Sequence, residues 1–500
     1  MHPCAHTLNK CTRPPTFLPF AVSITRRLLL QPRWSTLLRR YASVSAVELR
    51  FGQPLHETHP HLLKAGELTP GITALEYAQR RSKLAANLPK NAIAILAASE
   101  IKYRSGAVFH EFHQDSNFFY LTGFNEPEAV AVIGKSIDGD DHTFHLFVRE
   151  KDAKAEQWDG VRSGTRAALD VFNADETGDI NQISSLLAPI VQEASKIYTD
   201  LISEPKNKSF FSRFLYDQSP KAEGLAKVLK SKSSNTLPLK DVLNGFRNLK
   251  SDAEIANMRK AGQASGRAYT DAMRRAWKKE KDLAAYLDYQ FRTRGCDCSA
   301  YIPVVAGGQN ASIIHYTQND HLLKDGQMVL VDAGGECGGY ITDITRTWPV
   351  SGTFTPAQKD LYNAVLTTQR QCISLCRANA NVSLDELHNI AGTTLTDQLK
   401  QLGFDTSGNA LDALFPHHLG HYIGLDVHDT PGQSRKTKLQ SRQCVTIEPG
   451  LYIPNTEAYP APFRGMGIRI EDSVCVQEEH PLVLTTEAVK EVVDIEALRN

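Results

Sequence analysis

The chain has 500 residues, of which 41% are hydrophobic and 22% charged, and 56 lysines plus arginines balance 56 aspartates plus glutamates. That length allows two or three domains with real cores, and zero formal charge excludes a whole-protein attraction to nucleic acid or an anionic membrane. Nine scattered cysteines without metal-ribbon spacing read as free thiols rather than a disulfide framework. No apolar run reaches the roughly 18 residues a membrane span needs.

Residues 1 to 47 contain no acid, and Glu48 is the first. They carry Lys10, Arg13, Arg26, Arg27, Arg33, Arg39 and Arg40, interleaved with leucines and aromatics in "RRLLLQPRWSTLLRRY". Basic, acid-free and amphipathic is the composition of a mitochondrial presequence. The competing secretory signal, "FLPFAVSI", is short, contains Pro19 and runs at once into Arg26-Arg27. The segment closes on "RRYAS", an arginine shortly before a small residue, so a presequence of residues 1–41 would leave a mature start near Tyr41 or Ala42. The expected location is the mitochondrial matrix, with attachment to the inner membrane left open.

"LTPGITALEYAQRRSKLAANLP" (68–89) reads as a turn followed by an amphipathic helix. "NAIAILAAS" (91–99), "AVAVIGK" (129–135) and "FHLFVRE" (144–150) read as strands. Strands alternating with helices over 66–235 predict an α/β N-terminal domain. "KSKSSNTLP" breaks the pattern, so residues 236–250 are expected to be a linker.

A second domain, 251–494, opens on a capping box in "SDAEIANM", where Ser251 and Glu254 can exchange bonds with each other's backbone. The device recurs at Thr355 in "TPAQ", with Pro356 at the first helical position, and at Ser383 in "SLDE". Helices are therefore expected from about 252, 356 and 384, and strand signals cluster at 327–350 and 443–476. Helices then strands, twice over, suggest two similar α+β halves with one site between them.

"MVLVDAGGECGGYITDITRTWPV" (328–350) is a hairpin signal around a glycine-rich turn. A turn centred on Cys337-Gly338 sets Asp332 opposite Asp343. Facing like charges destabilise a sheet, and a divalent cation would offset the repulsion; otherwise these are two unrelated aspartates near a turn. In the second half Glu448 ends the β run of "CVTIEPGLYIP". Arg469 and Glu471 share one face of "GIRIED", a site face or the solvated face of an edge strand. "HHLGHYIGLDVHD" (417–429) offers four histidines and two aspartates for metal binding, acid/base work or polar packing.

Four strand-borne carboxylates with histidine suit Mn²⁺ or Mg²⁺, imidazole widening the choice to Zn²⁺, Co²⁺ or Fe²⁺. Four negative charges balance two divalent ions. A pair about 3.5–4 Å apart can hold a bridging water, lower its pKa and clamp a carbonyl, which is hydrolytic chemistry on an amide. The H-E-x-x-H of single-zinc peptidases, the phosphate loop and the G-x-S-x-G elbow are all absent.

The ordered series "VDAGGE", "TDITRTWPV", "HHLGHYIGLDVHD", "IEPGLYI" and "GIRIED" resembles the M24 metallopeptidases with the pita-bread fold. "EFHQDSNFFYLTGFNEPEAV" (111–130) resembles their aminopeptidase P branch, and "LKSDAEIANMRKA" resembles the helix that opens its catalytic domain. The resemblance covers roughly 66–490. It implies an α/β N-terminal domain followed by an α+β pita-bread catalytic domain that holds two divalent ions per subunit, manganese being the expected metal. Asp332, Asp343, His421, Glu448 and Glu471 match the five ligands, with Asp343 and Glu471 bridging, Asp332 on one ion, and His421 and Glu448 completing the other. Glu448 would take a proton from a metal-bridging hydroxide's parent water and pass it to the leaving amine. His428 and His315 match histidines that act on the tetrahedral intermediate and the substrate. His417 and Tyr452 fall in the substrate pocket, and Arg469 would orient Glu471.

Trp158 in "AEQWDG" resembles a tryptophan that reaches a substrate pocket across a subunit contact, its alternative being a core residue of the first domain. His418 matches no role and is expected to be solvated or hydrogen-bonded. Asn117 stands where the family carries aspartate, which puts any role carried over from that position in doubt.

With the presequence, the resemblance implies a mitochondrial aminopeptidase that trims one residue, Tyr, Leu or Phe, from imported proteins, assembled as a dimer or tetramer. The alternatives are an Xaa-Pro aminopeptidase or a prolidase that requires proline in second position. A methionine aminopeptidase needs no α/β domain of this size. From another class comes a non-catalytic pita-bread binding protein, which would have lost ligands.

Overall fold

The computed structural model describes residues 50–135, 142–201 and 220–499. The expected presequence, 1–41, with its processing site, lies outside the described residues.

Strands β1 (Ala92–Ala97), β2 (Val130–Lys135) and β3 (His142–Val148) form where the apolar runs anticipate them. With β4 (Glu176–Asp179), β5 (Lys196–Tyr198) and β6 (Thr236–Leu237) they make a mixed sheet in the order β6-β5-β1-β2-β3-β4. β1, β2 and β3 pair antiparallel, and the outer strands join in parallel. Both faces of β1 and β2 are buried, which is why their sequences lack alternation. Ala94, Leu96 and Ala131 pack with Tyr77 and Leu84 of α1 (Ala74–Asn87). Ile93, Ile95 and Val132 face the opposite core, with Leu187 and Val191.

The helix α2 (Ser116–Thr122) is fixed at both ends, by a side chain at its start and by backbone conformation at its close. Asp115 accepts from the Phe118 amide, and Gly123 ends the helix in the left-handed region at φ 64°. The helix α3 (Ala153–Asp159) buries none of its residues. Residues 236–250, expected as a linker, are built instead: Thr236 and Leu237 pair as β6, and Lys240–Arg247 form α4. Leu239, Leu243 and Arg247, four residues apart, are all buried on one stripe, a helical period that the polar flank obscures.

In the second domain α5 (Asp252–Met273), α6 (Glu280–Thr293), α7 (Pro356–Ser374) and α8 (Leu384–Gln401) cover the strands. The three expected capping boxes all form, and their helices begin at Asp252, Pro356 and Leu384. The first half contributes β7 (Cys298–Ser299), β8 (Val304–Gly307), β9 (Met328–Asp332), β10 (Gly335–Cys337), β11 (Tyr340–Ile341) and β12 (Thr345–Pro349). The second contributes β13 (Cys444–Ile447), β14 (Gly450–Tyr452), β15 (Gly467–Arg469), β16 (Asp472–Cys475) and β17 (Leu482–Val483). Side chains and backbone stitch the halves at their junction. The Glu471 amide donates to Thr345 O at 3.0 Å, and the Thr347 hydroxyl donates to Arg469 O at 3.0 Å.

One register differs from the sequence expectation. The hairpin turns at Gly338-Gly339, so Cys337 faces Tyr340 and Asp332 faces Thr345 rather than Asp343. Both glycines have positive φ, 59° and 83°. A tight two-residue hairpin turn needs that at both central positions, and Cys337 would be strained there. The two aspartates are thus diagonal neighbours across the hairpin.

Candidate active site

The candidate ligands collect at strand ends and strand breaks. Asp332 ends β9, Asp343 lies between β11 and β12, Glu448 follows β13, and Glu471 separates β15 from β16. Two glycines let the chain cross itself here. A Cβ on Gly334 would lie 1.8 Å from Thr342 O, and one on Gly420 would lie 1.9 Å from Thr446 O. The Gly420 crossing brings His421 alongside β13, where its amide donates to the Thr446 hydroxyl at 3.1 Å and the Thr446 amide donates back to His421 O at 2.9 Å.

His421 Nε2 is 3.4 Å from Asp343 Oδ2 and 3.6 Å from Glu448 Oε1. Ligand atoms of Asp343, His421 and Glu471 all lie within 4.8 Å of one another. Asp332 joins the cluster through Tyr301, whose hydroxyl reaches Asp332 Oδ1 at 2.6 Å and Asp343 Oδ1 at 2.5 Å. Sequence reasoning missed Tyr301. It sits outside any strand, three residues before β8, and no local pattern signals it.

The electrostatics are those of a crowded anionic site. Burial, then the charge of Asp343, pushes Asp332 up to about 6. Burial pushes Glu448 up to about 7 despite His421 and Arg469, and Glu471 rises well above the carboxylate range from burial and the charges of Asp343 and Glu448. Asp343 is held low against its burial by the bond to His421. His421 is lifted to about 9, burial notwithstanding, by its bond to Asp343 and the charge of Glu448. Among the described residues Glu471 Oε1 is buried with no partner, a state that costs on the order of 1–3 kcal/mol for a buried polar group. Oxygen donors with one imidazole, mutual repulsion and an unpartnered buried oxygen fit divalent cations.

Arg469 is fully buried and forks across the junction. Its NH2 donates to Asp332 Oδ2 at 2.6 Å, Nε to the Thr345 hydroxyl at 3.0 Å and NH1 to the Tyr452 hydroxyl at 2.9 Å. The guanidinium is committed to Asp332 across the half-site boundary and reaches Glu471 only through Thr345, whose hydroxyl donates to Glu471 Oε2 at 2.7 Å. Ile468 and Ile470 are buried, and so are Arg469 and Glu471, which removes the solvated edge-strand alternative.

His417 Nε2 lies 2.8 Å from the Tyr452 hydroxyl, and its Nδ1 lies 3.9 Å from Glu448 Oε2. Burial and the Arg469 charge lower His417 to about 4, so it is neutral at working pH. The His428 ring centroid is 4.3 Å from that of His421. His428 and His315 are both exposed, and His315 lies within electrostatic range of His428. His418 is hydrogen-bonded, as expected: it stacks on His388 at 4.6 Å and its Nε2 meets Asp385 Oδ1 at 3.1 Å. Trp158 is 79% exposed on α3, so it is not the core tryptophan of the alternative reading. Asn117 Oδ1 accepts from Arg247 NH1 at 2.7 Å.

Residues 256–478 match Metallopeptidase family M24, and residues 77–198 match the aminopeptidase P N-terminal domain. The chain is 47% identical over 456 residues to Intermediate cleaving peptidase 55 of Saccharomyces cerevisiae, covering 90% of this chain and 89% of that one. It is 35% identical over 479 residues to the mitochondrial Intermediate cleaving peptidase 55 of Arabidopsis thaliana, covering 95% and 93%. Among solved structures, the Saccharomyces cerevisiae Icp55 crystal structure lacking its N-terminal 58 residues superposes with a TM-score of 0.80 at 44% identity, covering 87% of this chain and 99% of that one.

Proposed function

The chain belongs to Metallopeptidase family M24, in its aminopeptidase P branch, and on that premise we propose that it removes a single N-terminal Tyr, Leu or Phe from proteins imported into mitochondria, after presequence cleavage. It is a metallo-aminopeptidase that uses divalent metal. The observation that carries the chemistry is the junction of two half-sites, where four carboxylates and His421 converge and Glu471 Oε1 has no partner among the described residues.

In this reading Asp332, Asp343, His421, Glu448 and Glu471 hold two divalent ions, with manganese the first metal to test. Ions held there lower the pKa of a water and polarise the peptide carbonyl. Glu448 handles the proton. Its Oε1 accepts from Thr446 at 3.3 Å, which orients the carboxylate to take a proton and return it to the leaving amine. His428 and His315, both exposed, donate to the substrate, His428 to the attacked carbonyl oxygen as charge builds on it. Neutral His417, with Tyr452, lines the pocket for the residue after the cut. Trp158, exposed on a helix with no buried residue, is offered to a second subunit, which supports a dimer or tetramer.

The acid-free basic segment 1–47 and the relatives' names support a mitochondrial substrate pool. The test uses protein beginning at Ala42, stripped of metal and reloaded with Mn²⁺, with tyrosine release followed by mass spectrometry. One peptide begins Tyr-Ala-Ser and the other Tyr-Pro-Ser. Preference for Tyr-Ala-Ser supports the trimming reading. Cleavage of Tyr-Pro-Ser alone replaces it with an Xaa-Pro aminopeptidase. The chain's own "RRYAS" has the substrate form, so Tyr41 is the residue it would remove from itself. An N-terminus at Ala42 in active protein and at Tyr41 in Glu448→Ala protein is the expected result.

A further inference from the structure

The loop that carries His428 has no regular secondary structure, yet its backbone is strained. Thr430 has φ 48°, a region that β-branched residues avoid, and its hydroxyl is buried without a partner among the described residues. A backbone in that state persists only where its surroundings over-determine it. Those surroundings are charged and nearly dry. Lys250 Nζ donates to Asp429 Oδ2 at 2.8 Å, and Arg247 NH2 donates to Asp429 Oδ1 and, at 2.7 Å, to Asp426 Oδ2. The side chains of Asp429 and Lys250 are each 1% exposed. One turn earlier on α4, Asn244 Nδ2 donates to Pro431 O at 2.6 Å. The loop is therefore gripped on both sides of His428. A Cβ on Gly424 would lie 2.4 Å from Asp429 Oδ2, so the loop closes directly over the ion pair.

The grip reaches back into the N-terminal domain. The Ser116 hydroxyl donates to Asp426 Oδ1 at 2.6 Å, and Asn117 accepts from Arg247. Arg247 and Lys250 face Asp426 and Asp429, and Asp115 lies within electrostatic range of Arg247 and Asp426. An aspartate at 117 would add a further negative charge beside these carboxylates, which the amide found there does not.

We propose that Arg247, Lys250 and Asp429 are positioning residues: an ion-pair brace, anchored through Ser116 and Asn117 in the N-terminal domain, that sets His428 against His421. The proposal rests on the catalytic role assigned to His428 above. It makes the N-terminal domain a part of the catalytic geometry.

The test is a double-mutant cycle in the metal-loaded full chain, Arg247→Gln with and without His428→Ala, with kcat and KM measured on the better peptide of the pair above. A reacting group misplaced by about 1 Å costs on the order of 10²-fold. Arg247→Gln is expected to lower kcat by roughly 10- to 100-fold and leave KM within about twofold. In the His428→Ala background it should change kcat by less than about twofold, because the group it positions is gone. Arg247→Lys should recover part of the loss. Equal kcat losses in both backgrounds, or a change in KM alone, would overturn the brace. If Arg247→Gln does not fold, Asp426→Asn, which removes a half-exposed partner, gives the same reading through the same cycle. A His428→Ala variant with unchanged kcat would instead sink the role of His428, whereas a large His428 effect with additive brace variants sinks the brace alone.

Discussion

The two halves of the catalytic domain solve the same problem with different means. In the first half both candidate ligands, Asp332 and Asp343, come from one continuous hairpin whose geometry is set by its glycine turn. In the second half His421, Glu448 and Glu471 come from three separated segments, and the loop beyond His421 is held by charges from α4 and Lys250. A hairpin carries its own register, since each residue has a fixed partner. A coil does not, so its placement has to be supplied by groups elsewhere in the chain. The difference teaches where function is vulnerable: locally in the first half, remotely in the second.

The largest effects should come from the shared centre. Glu448→Ala is expected to cut kcat by about 10²- to 10⁴-fold, read as tyrosine release. If Asp343 bridges both ions while Asp332 touches one, Asp343→Ala should lose both metals and Asp332→Ala only one, as measured by elemental analysis. Equal losses from the two variants would erase that division within the first half.

Next in size is the pair that ties the halves together from beneath. Arg346 of the first half, fully buried, donates to Asp472 Oδ1 of the second at 2.7 Å, and Lys490 and Gln369 reach Asp472 Oδ2 at 2.6 Å. Asp472→Asn should destabilise the fold by about 3–5 kcal/mol, the usual cost of breaking a buried pair, measured by urea unfolding. Burial alone would raise Asp472, but the Arg346 and Lys490 charges hold it well below the usual carboxylate range. A depressed folded value means that its stabilisation is present above the unfolded value of about 3.9 and is lost as pH falls below it. Wild type should therefore lose stability steeply on acidification below about pH 4, and Asp472→Asn should show a flatter slope there.

How much of this was legible follows the same division. The capping boxes at Ser251, Thr355 and Ser383 are local and were readable, and so were the buried strands β1 and β2. The turn was misread by one residue because alternation alone does not say which two residues take positive φ; Gly338-Gly339 does. Arg469 lay on the expected face, but that its guanidinium would serve Asp332 across the junction depends on how two halves far apart in sequence meet. Tyr301 and the brace around Asp429 carried no signal for the same reason. Their partners lie tens to hundreds of positions away, and a short polar residue in a loop looks alike whether it is solvated or buried in an ion cluster.

Where the halves are most alike, they can be compared directly. Gly334 and Gly420 crowd Thr342 O and Thr446 O almost equally, at 1.8 and 1.9 Å from a would-be Cβ. Alanine at either position must push backbone aside, at a cost of about 1–3 kcal/mol or more. Similar shifts in the urea midpoint for both variants would extend the likeness of the halves to their energetics. A much smaller shift at Gly420 would mean that the coil of the second half yields where the hairpin does not.

The smallest effect separates the contacts that the N-terminal domain makes with each half. It grips the second half through Arg247, whose charge persists at every accessible pH. It meets the first half through Arg80, which donates to the Tyr340 hydroxyl on β11 at 3.3 Å, and through His113, whose Nε2 lies 3.1 Å from Glu336 Oε2 on β10. That bond, against burial and with help from the Glu336 charge, lifts His113 to about 9. A raised folded value contributes stability that is complete below the unfolded value of about 6.5 and is lost as pH rises through 9. The His113 side chain is 54% exposed, so solvent screening keeps the contribution under about 1 kcal/mol. Melting temperatures at pH 6.5 and 9.5 should fall by a degree or two more in wild type than in His113→Gln. Alkaline pH would then remove one contact of the domain with the hairpin half, which keeps its own register, and leave in place the Arg80 contact there and the Arg247 hold on the loop half.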